Sequence, residues 1–394
     1  MISVEEAQQI IMNEVLSGPV VTLPLQDACG RVLAGELQSP IDSPLFDSSA
    51  MDGFAIAACD LARHKVVGLV AAGNTIEKTL HRGEAMRVMT GAMLPQGTTA
   101  VIPQEEILKE EDGTILISSP VTQDLHIRRQ GEEVRAGDLV LSKNTPITAG
   151  AAGFLSSLGI LKIPVFTPPK ILIFPTGSEL VSHPSALQSG KIMESNSCSL
   201  SAALFPLNLV PRIVSPVPDI PKVMHAMLEV ALSENDFVLI TGGVSVGIFD
   251  HVKEILASLK VKTCFWKVAQ KPGKPLYFGR KNNTFVFGLP GNPASSLVCF
   301  YEYVRPALLK WMGFPDCFLK KCEARLLKPF FKKEERVHFV RGKVFYKEGE
   351  WQVDPFEGQE SHKMGSFAKA NCLAVIPAAV KELKEGDAVV IHWL

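Results

Sequence analysis

The stretch Phe237-Val-Leu-Ile-Thr-Gly-Gly-Val-Ser-Val-Gly247 joins a short apolar run to a glycine-rich turn. Two other stretches are built the same way: Ile171-Leu-Ile-Phe-Pro-Thr-Gly-Ser-Glu179 precedes it, and Thr284-Phe-Val-Phe-Gly-Leu-Pro-Gly-Asn-Pro293 follows it. A buried strand that ends in a Gly/Thr/Ser turn and opens a helix directs backbone N–H groups and the positive helix end to one spot, which suits phosphate. The three stretches therefore predict a parallel sheet whose carboxyl-terminal edge binds a phosphate-rich ligand.

Two lysines add positive charge to this predicted site, because Lys271-Pro-Gly-Lys-Pro275 lies between the last two stretches. Lys271 and Lys274 would act with backbone and hydroxyl donors at Thr241, Gly242, Gly243 and Ser245. The turn is not a Walker A motif, since Ile248 and Phe249 stand where that motif has Lys and Ser or Thr. No GxGxxG follows a predicted strand, which disfavours a dinucleotide site. The alternative is that these glycines only form tight turns between strands and helices.

Three carboxylates come close behind predicted strand ends: Glu179, Asp219 and Asp250. The loops of a doubly wound sheet converge at these ends. Mg²⁺ takes one or two carboxylates and keeps several waters, so acids beside phosphate donors predict a magnesium–phosphate site. Helix capping is the alternative, since Asp250 precedes a helix with an apolar face.

Composition limits the classes of partner. A length of 394 residues suggests two to four domains, and a net charge of −1 gives no basic field. We therefore expect neither nucleic acid nor a membrane surface as a partner. The eight cysteines include no CxxC and the amino-terminus lacks the pattern of a signal peptide, which favours a cytoplasmic protein with reduced thiols.

Changes in turn density and in the pattern of predicted strands and helices along the chain predict four domains. Residues 1–42 pair with residues 133–167 in a mixed N-terminal domain, and residues 43–132 form a mostly β insertion with many turns. Residues 168–312 alternate strands with helices, which predicts a doubly wound α/β domain. Residues 313–394 form a β-rich C-terminal domain. The fold class is thus a multidomain α/β protein.

Several local elements can be predicted within these domains. A capping box of Ser3 and Glu6 starts a first helix, and a helical turn is expected near Asp27–Leu33. In the α/β domain, apolar faces predict helices over three sets of residues: Leu200, Ala203, Leu204 and Leu207; Val223, Met227 and Leu228; and Leu297, Tyr301, Val304, Leu308 and Trp311. Asn292 is expected to cap the last of these helices, with Pro293 at its first position. Strands are expected at Val337–Val340 and Lys343–Tyr346, among others.

The β insertion carries three dense polar patches: Asp47-Ser-Ser-Ala-Met-Asp-Gly53, Arg87-Val-Met-Thr-Gly91 and Ile127-Arg-Arg-Gln-Gly-Glu-Glu133. Asp-Gly and Thr-Gly are common in turns, and the last patch has the form of a solvated charge run. By spacing alone, each patch is as consistent with loop structure as with function.

Seven motifs taken together resemble the molybdopterin molybdenumtransferase family, which includes the C-terminal domain of gephyrin. They occur in the family's order over essentially the whole chain: Ser49-Ala-Met-Asp-Gly-Phe54, Met89-Thr-Gly-Ala92, Arg128-Arg-Gln-Gly-Glu-Glu133, Thr176-Gly-Ser-Glu-Leu180, Thr241-Gly-Gly-Val-Ser-Val-Gly247, Lys271-Pro-Gly-Lys-Pro275 and Gly288-Leu-Pro-Gly-Asn-Pro293. Each motif is weak by itself, but seven in order are specific.

The resemblance implies a fold, a reaction and an assembly. It implies an elongated homodimer of four-domain subunits, with an α/β domain similar to the molybdopterin adenylyltransferases. The implied reaction inserts molybdate into adenylylated molybdopterin with Mg²⁺ and releases AMP and molybdenum cofactor. A molybdopterin adenylyltransferase and apo-molybdoenzymes are the expected protein partners.

The resemblance also implies roles for individual residues. Residues Thr241 to Ser245 would hold the nucleotide phosphates, Lys271 and Lys274 would face phosphate or molybdate, and Glu179, Asp219 and Asp250 would serve the metal and the pterin. Asp52, Thr90 and Glu133 would reach the cleft of the partner subunit. The remaining binding residues that it implies are Arg128, Gly247, Pro290, Asn292 and Pro293.

The chain departs from the family pattern at a few positions. Glu133 and Ser178 stand where the family often has Asp, Ile248 takes an often acidic place, and Gln359-Glu-Ser361 replaces Gln-Gly-Ser. Three rival functions stay open at this point: the adenylyltransferase reaction, a gephyrin-like scaffold without activity, and an unrelated Mg²⁺-dependent phosphohydrolase.

Overall fold

The computed structural model describes residues 1–243 and 251–394. These residues divide into two compact units. The first comprises Met1–Val21, Gly30–Val32 and Val165–Leu394, and the second comprises Thr22–Cys29 and Leu33–Pro164. Among the described residues, no helix has both the length and the apolar character needed to cross a bilayer.

Short strands and a smaller number of helices make up the chain. The helices are α1 (Val4–Glu14), α2 (Ala149–Ser157), α3 (Asn196–Leu204), α4 (Pro221–Glu234), α5 (Val252–Ser258), α6 (Pro293–Cys299) and α7 (Arg305–Trp311). The strands before the α/β sheet are β1 (Val20–Pro24), β2 (Leu37–Gln38), β3 (Ser48–Ser49), β4 (Gly53–Ile56), β5 (Arg63–Val70), β6 (Glu84–Val88), β7 (Ala100–Pro103), β8 (Lys109–Glu111), β9 (Thr114–Leu116), β10 (Ile127–Arg128), β11 (Leu139–Leu141) and β12 (Lys162–Phe166). Those that follow are β13 (Ile171–Pro175), β14 (Leu180–Val181), β15 (Ile192–Met193), β16 (Arg212–Ile213), β17 (Phe237–Thr241), β18 (Lys262–Trp266), β19 (Gln270–Lys271), β20 (Tyr277–Lys281), β21 (Thr284–Leu289), β22 (Lys321–Leu326), β23 (Phe330–Phe331), β24 (Val337–Lys347), β25 (Glu350–Pro355), β26 (Cys372–Ile376), β27 (Glu382–Leu383) and β28 (Ala388–Trp393).

The second unit is built on a six-stranded sheet in the order β7-β4-β6-β5-β9-β8. Successive residues of β4 point to opposite faces: Phe54 and Ile56 pack in one apolar cluster, and Ala55 packs in the other. This alternation has the period of two that a strand imposes, and both faces are covered. The expectation of a mostly β insertion is confirmed.

The amino-terminal elements follow their local sequence signals with one exception. Ser3 N–H donates to Glu6 Oε2 at 2.9 Å and Glu6 N–H donates to Ser3 Oγ at 3.0 Å, so the predicted capping box starts α1. The helical turn predicted near Asp27–Leu33 is wrong. Only Leu25–Asp27 form a single 3₁₀ turn, and Gly30 has a φ of 77°, which takes the backbone out of the helical region.

The α/β sheet of the first unit has the order β16-β13-β17-β21-β20-β18. The four strands from β16 to β21 are parallel, while β20 runs antiparallel to both of its neighbours, so the sheet is mixed at one side. Residues of β17 alternate between two cores: Phe237 and Leu239 face α1, α3, α6 and α7, and Val238 and Ile240 face α4 and α5. Helices on both faces confirm the doubly wound domain.

One predicted helix face is shifted. In α4, Val223 is 38% exposed, and the buried residues are Met224, Leu228, Ala231 and Leu232. Leu228 of the predicted face is therefore buried, whereas Val223 lies outside the buried stripe, which begins at Met224.

A π turn interrupts the long helix that follows β21. Pro293 starts α6 after the N-cap Asn292, as predicted, and Phe300–Val304 form the π turn before α7 continues. The extra residue per turn brings both Glu302 and Tyr303 into the buried side. The helix therefore buries two polar side chains beside its apolar stripe.

The C-terminal strands close into a barrel. Strand β24 pairs with β25, β25 with β22, β22 with β28, β28 with β26, and β26 with β24 again. The two strands predicted at Val337–Val340 and Lys343–Tyr346 are one strand, β24, which passes through Arg341 and Gly342. A long strand can bend around a barrel, so two apolar runs need not be two strands.

The barrel is bonded to the π turn by a buried pair. His392 Nδ1 and Glu302 Oε1 lie 2.7 Å apart, and both side chains are buried. Gln8 Nε2 of α1 also donates to Glu302 Oε2 at 3.4 Å. The carboxylate of Glu302 therefore connects the barrel, the long helix and the first helix.

Replacing Glu302 by Ala should reduce the stability of the first unit. The change leaves the buried His392 without its acceptor and opens a gap, which should lower the free energy of unfolding by about 3 kcal/mol. Denaturant unfolding followed by circular dichroism measures the effect, and Glu323→Ala on an exposed position of β22 is the matched control. Equal unfolding midpoints for the two variants would contradict this role of Glu302.

Candidate functional site

A cavity of about 650 Å³ lies at the carboxyl-terminal ends of β13, β17 and β21. Its wall includes the ends of all three strand–turn stretches that the sequence singled out. The predicted site residues that line it are Glu179, Asp219, Thr241, Gly242, Gly243, Pro290, Asn292 and Pro293. Residues separated by more than a hundred positions thus converge at one edge of the sheet, as expected for a parallel α/β fold.

The turn after β17 accepts only glycine without strain. Gly242 has a φ of 87°, and a Cβ there would lie 2.5 Å from the carbonyl oxygen of Thr176. Gly243 has a φ of 64°, and a Cβ there would lie 2.7 Å from Val252 Cγ2. The backbone of this turn therefore packs closely against Thr176 and Val252 at the wall of the cavity. Ser245, Gly247 and Asp250, which were predicted for the same site, lie outside the described residues.

Two of the predicted carboxylates, Glu179 and Asp219, line this cavity, together with Glu194. Asp219 Oδ2 accepts from Ser178 N–H at 2.9 Å, and Ser178 Oγ accepts from Asp219 N–H at 3.0 Å, so the two loops hold each other. The carboxylate of Glu179 packs on Gly177, where a Cβ would lie 2.8 Å from its oxygens. Among the described residues, no three His, Cys, Asp or Glu side chains form a group that could hold a metal ion. Within the described residues, the predicted carboxylates Glu179 and Asp219 therefore do not belong to a group of three such side chains.

The predicted lysines line an adjoining cavity of about 330 Å³. This second cavity is called the lysine cavity below. Its lining includes Lys271, Lys274, Arg336, Ser295 and Ser361. Pro275, Pro290 and Asn292 line both cavities. The cavity at the glycine-rich turns therefore adjoins the lysine cavity.

The turn at residues 271–274, called the lysine turn below, is held by the side chain of Gln270, which is fully buried. Gln270 Nε2 donates to the carbonyls of Pro272 at 3.1 Å and Gly273 at 3.2 Å, and Gln270 Oε1 accepts from the hydroxyl of Tyr303 in the π turn. Strand β19, which contains Gln270 and Lys271, pairs with β24 of the barrel. The two lysines therefore stand on a turn fixed by both the α/β domain and the barrel.

A loop of the barrel forms the other wall of the lysine cavity. Gln359 exchanges hydrogen bonds with the backbone of Arg341, and the buried guanidinium of Arg341 donates to the carbonyl of Gly358 at 3.0 Å. Ser361 Oγ accepts from Asn292 Nδ2 at 2.8 Å. Asn292 thus uses its side chain to bond the barrel loop and makes no side-chain capping bond to the helix that it precedes.

Sequence reasoning missed several residues of these cavities. Arg336 and Ser361 come from the barrel, and neither belongs to a strand–turn motif that would have marked it. Asn196 is buried at the start of α3 and donates from Nδ2 to the Gly291 carbonyl at 2.9 Å, while its Oδ1 has no hydrogen-bond partner among the described residues. The polar run Glu194-Ser-Asn-Ser197 before a helix was the available signal for Asn196.

The second unit places two of its predicted residues together. Asp52 Oδ1 accepts from Thr90 N–H at 2.6 Å and from Thr90 Oγ1 at 2.8 Å, and these bonds lower the pKa of Asp52. Glu133 accepts from Ser43 Oγ at 2.8 Å, and Arg128 is an exposed residue of β10. Asp52 and Thr90 are thus one hydrogen-bonded element, whereas Arg128 and Glu133 have contacts of their own.

Comparisons with known proteins cover nearly the whole chain. The family described as "MoeA N-terminal region (domain I and II)" matches residues 2–159, "Probable molybdopterin binding domain" matches residues 172–310, and "MoeA C-terminal region (domain IV)" matches residues 323–394. A molybdopterin molybdenumtransferase of Haemophilus influenzae is 36% identical over 403 residues, covering 100% of this chain and 98% of that protein. One of Staphylococcus aureus is 33% identical over 396 residues, covering 98% of this chain and 94% of that protein. The crystal structure of a molybdopterin biosynthesis MoeA protein from Pyrococcus horikosii superposes with a TM-score of 0.86 at 31% identity, covering 100% of this chain and 99% of that one.

The glycine turn can be tested by adding one methyl group. Gly242→Ala should lower the thermal midpoint and weaken nucleotide binding in the first cavity, because Ala is strained at positive φ and meets the Thr176 carbonyl. Gly153→Ala is the control, since Gly153 lies within α2 with open space around it, and there Ala should stabilise by about 0.5–1 kcal/mol. Thermal unfolding of both variants and AMP binding measured by calorimetry give the two readouts. If Gly242→Ala left both the thermal midpoint and the AMP affinity unchanged, the close packing of residue 242 against the Thr176 carbonyl would be disproved.

Proposed function

The chain belongs to the molybdopterin molybdenumtransferase family, and we propose that it inserts molybdate into adenylylated molybdopterin with Mg²⁺, releasing AMP and molybdenum cofactor. Its transferase role in molybdenum cofactor biosynthesis follows from relatives that match it from end to end. The observation that carries the finer proposal is the common wall of Pro275, Pro290 and Asn292 between the glycine-turn cavity and the lysine cavity.

The first cavity suits the nucleotide phosphates. Gly242 and Gly243 of the turn after β17 line this cavity, and the hydroxyl of Thr241 is buried with no hydrogen-bond partner among the described residues. A phosphate oxygen would accept a hydrogen bond from this hydroxyl. Binding there would hold the pyrophosphate link of the substrate beside the shared wall.

The residues at this cavity also fit a magnesium ion. Glu179 and Asp219 would hold it with Asp250, which lies outside the described residues, and two carboxylates with waters are an ordinary donor set for Mg²⁺. The ion would supply positive charge to the phosphate oxygens. Ser178 replaces the acid that is frequent in the family, but its hydroxyl orients the Asp219 loop, so the pair Glu179 and Asp219 is kept.

The lysine cavity suits the molybdate dianion. Lys271, Lys274 and Arg336 bring three cations to a space of about 330 Å³, although the net charge of the chain is only −1. Tetrahedral oxyanions are bound by such charge-assisted bonds together with hydroxyl donors, which Ser295 and Ser361 provide. A molybdate held there would adjoin the pterin end of a substrate whose phosphates lie in the first cavity, so the reaction gains from proximity.

Further parts of the proposal rest on the family alone. They are the homodimer, in which Asp52, Thr90, Arg128 and Glu133 would act at the partner's cleft, the four-domain division, and the cytoplasmic location. Delivery of substrate by a molybdopterin adenylyltransferase and transfer of product to apo-molybdoenzymes belong to the same proposal.

AMP release from adenylylated molybdopterin separates the proposed reaction from its rivals. With Mg²⁺ we expect release that depends on molybdate and stops when the metal is chelated, measured by chromatography. Release without molybdate would indicate a phosphohydrolase, and consumption of ATP with free molybdopterin would indicate the adenylyltransferase reaction. No release under any condition would favour a scaffold and contradict the proposal.

Lys274 should contribute directly to oxyanion binding. It is exposed and has no ion pair with any described residue, so its charge is available to a ligand. Lys274→Ala should weaken the binding of molybdate or of adenylylated molybdopterin by about 1.5–3 kcal/mol, the value of a charge-assisted hydrogen bond. Equilibrium dialysis measures this loss, and Lys343→Ala at an exposed position of the barrel is the control. Unchanged affinity for both ligands would remove Lys274 from the site.

A further inference from the structure

The loop before β24 places a carboxylate against the cations of the lysine cavity. Glu334 Oε1 lies 2.8 Å from Lys271 Nζ and 3.5 Å from a terminal nitrogen of Arg336, and Glu334 Oε2 lies 3.5 Å from His338 Nε2. The hydrogen bond from Lys271 lowers the pKa of Glu334 to about 2, so the carboxylate is ionised at neutral pH. Burial lowers the pKa of His338 to about 4, so that ring adds no charge. Two of the three cavity cations therefore already have an anionic partner.

We infer that Glu334 is a displaceable counter-ion of the oxyanion site, which occupies Lys271 and Arg336 until an incoming dianion replaces it. This inference rests on the proposed function, because it assigns molybdate to the lysine cavity. It adds a residue that the strand–turn motifs do not include and that sets how tightly the site binds its oxyanion.

The geometry permits this displacement without a change in the loop. Lys332 Nζ is buried and donates to the carbonyls of Arg336, Pro377 and Ala378 at 2.5, 2.6 and 3.1 Å, which fixes the loop at its start. Pairing of Val337 with Gln270 fixes the loop at its end. The Glu334 side chain between these anchors is 36% exposed, so it can rotate into solvent while the backbone stays in place.

The charges explain why such a counter-ion is useful. Without Glu334, Lys271, Lys274 and Arg336 would stand close together with no anion, and like charges at short range repel. Glu334 contacts two of these cations, whereas Glu360, which lines the cavity, is paired with Lys363 at 2.9 Å. Glu334 therefore relieves repulsion in the free protein, and an oxyanion must compete with it for Lys271.

Removing the carboxylate should strengthen oxyanion binding. An exposed ion pair of this kind is worth little, so we expect Glu334→Gln to bind sodium molybdate about two- to five-fold more tightly than the wild type. Glu334→Ala, which also removes the competing carboxylate, should show the same direction. Glu335→Gln is the matched control, because the neighbouring Glu335 pairs with Lys381, which does not line the lysine cavity.

Equilibrium dialysis of molybdate against the full chain gives the affinities, and molybdate-dependent AMP release gives a second readout. The apparent KM for molybdate should fall in Glu334→Gln while kcat stays constant. Unchanged or weaker binding in both Glu334 variants would overturn the inference, since Glu334 would then be neutral or would position Lys271 for the ligand. No molybdate binding by wild type or variants would overturn the oxyanion site itself, while AMP release without molybdate would contradict only the proposed reaction.

Discussion

The buried amide of Gln270 is the interaction on which the cationic part of the site depends. A primary amide has two donors and an acceptor, and here they bond the carbonyls of the lysine turn and the hydroxyl of Tyr303. Burying an amide without partners would cost free energy, so the turn, the π turn and strand β19 must fit together before the lysines have a fixed base. The position of Lys271 and Lys274 is therefore a property of the packing of helix, sheet and barrel, and their sequence motif supplies only the charges.

The π turn supplies two buried side chains that form hydrogen bonds to other elements. A regular α-helix would bring residues to its buried face every three or four positions, but Phe300–Val304 turn both Glu302 and Tyr303 inward. Glu302 bonds His392 of the barrel, and Tyr303 bonds Gln270 under the lysine turn. The barrel and the lysine turn are thus both bonded to the same helix, whose N-cap Asn292 lies in the wall between the two cavities.

Sequence alone predicts those parts of the molecule that depend on local patterns. The strands β13, β17 and β21, the capping box at Ser3 and the glycine turn at Gly242 could be predicted because apolar runs, caps and glycine-rich turns leave direct signals. Arg336 and Glu334 could not be predicted as members of the site, because a loop of the barrel brings them there and nothing in their neighbourhood differs from an ordinary charge run. The joining of the two predicted strands into β24 could not be predicted for a similar reason, because closure of the barrel determines where a strand ends.

The charge distribution follows from these constraints. A protein with a net charge of −1 cannot attract a dianion through its overall field, so the attraction must be local and must be built from few groups. Three cations on rigid supports meet that need but repel each other in the absence of a ligand. A carboxylate on a side chain that can rotate, next to an anchored backbone, reduces this repulsion without closing the cavity permanently. The partly exposed Glu334 beside the anchored Lys271 turn is therefore the arrangement expected of a site that must be both stable when empty and able to exchange one anion for another.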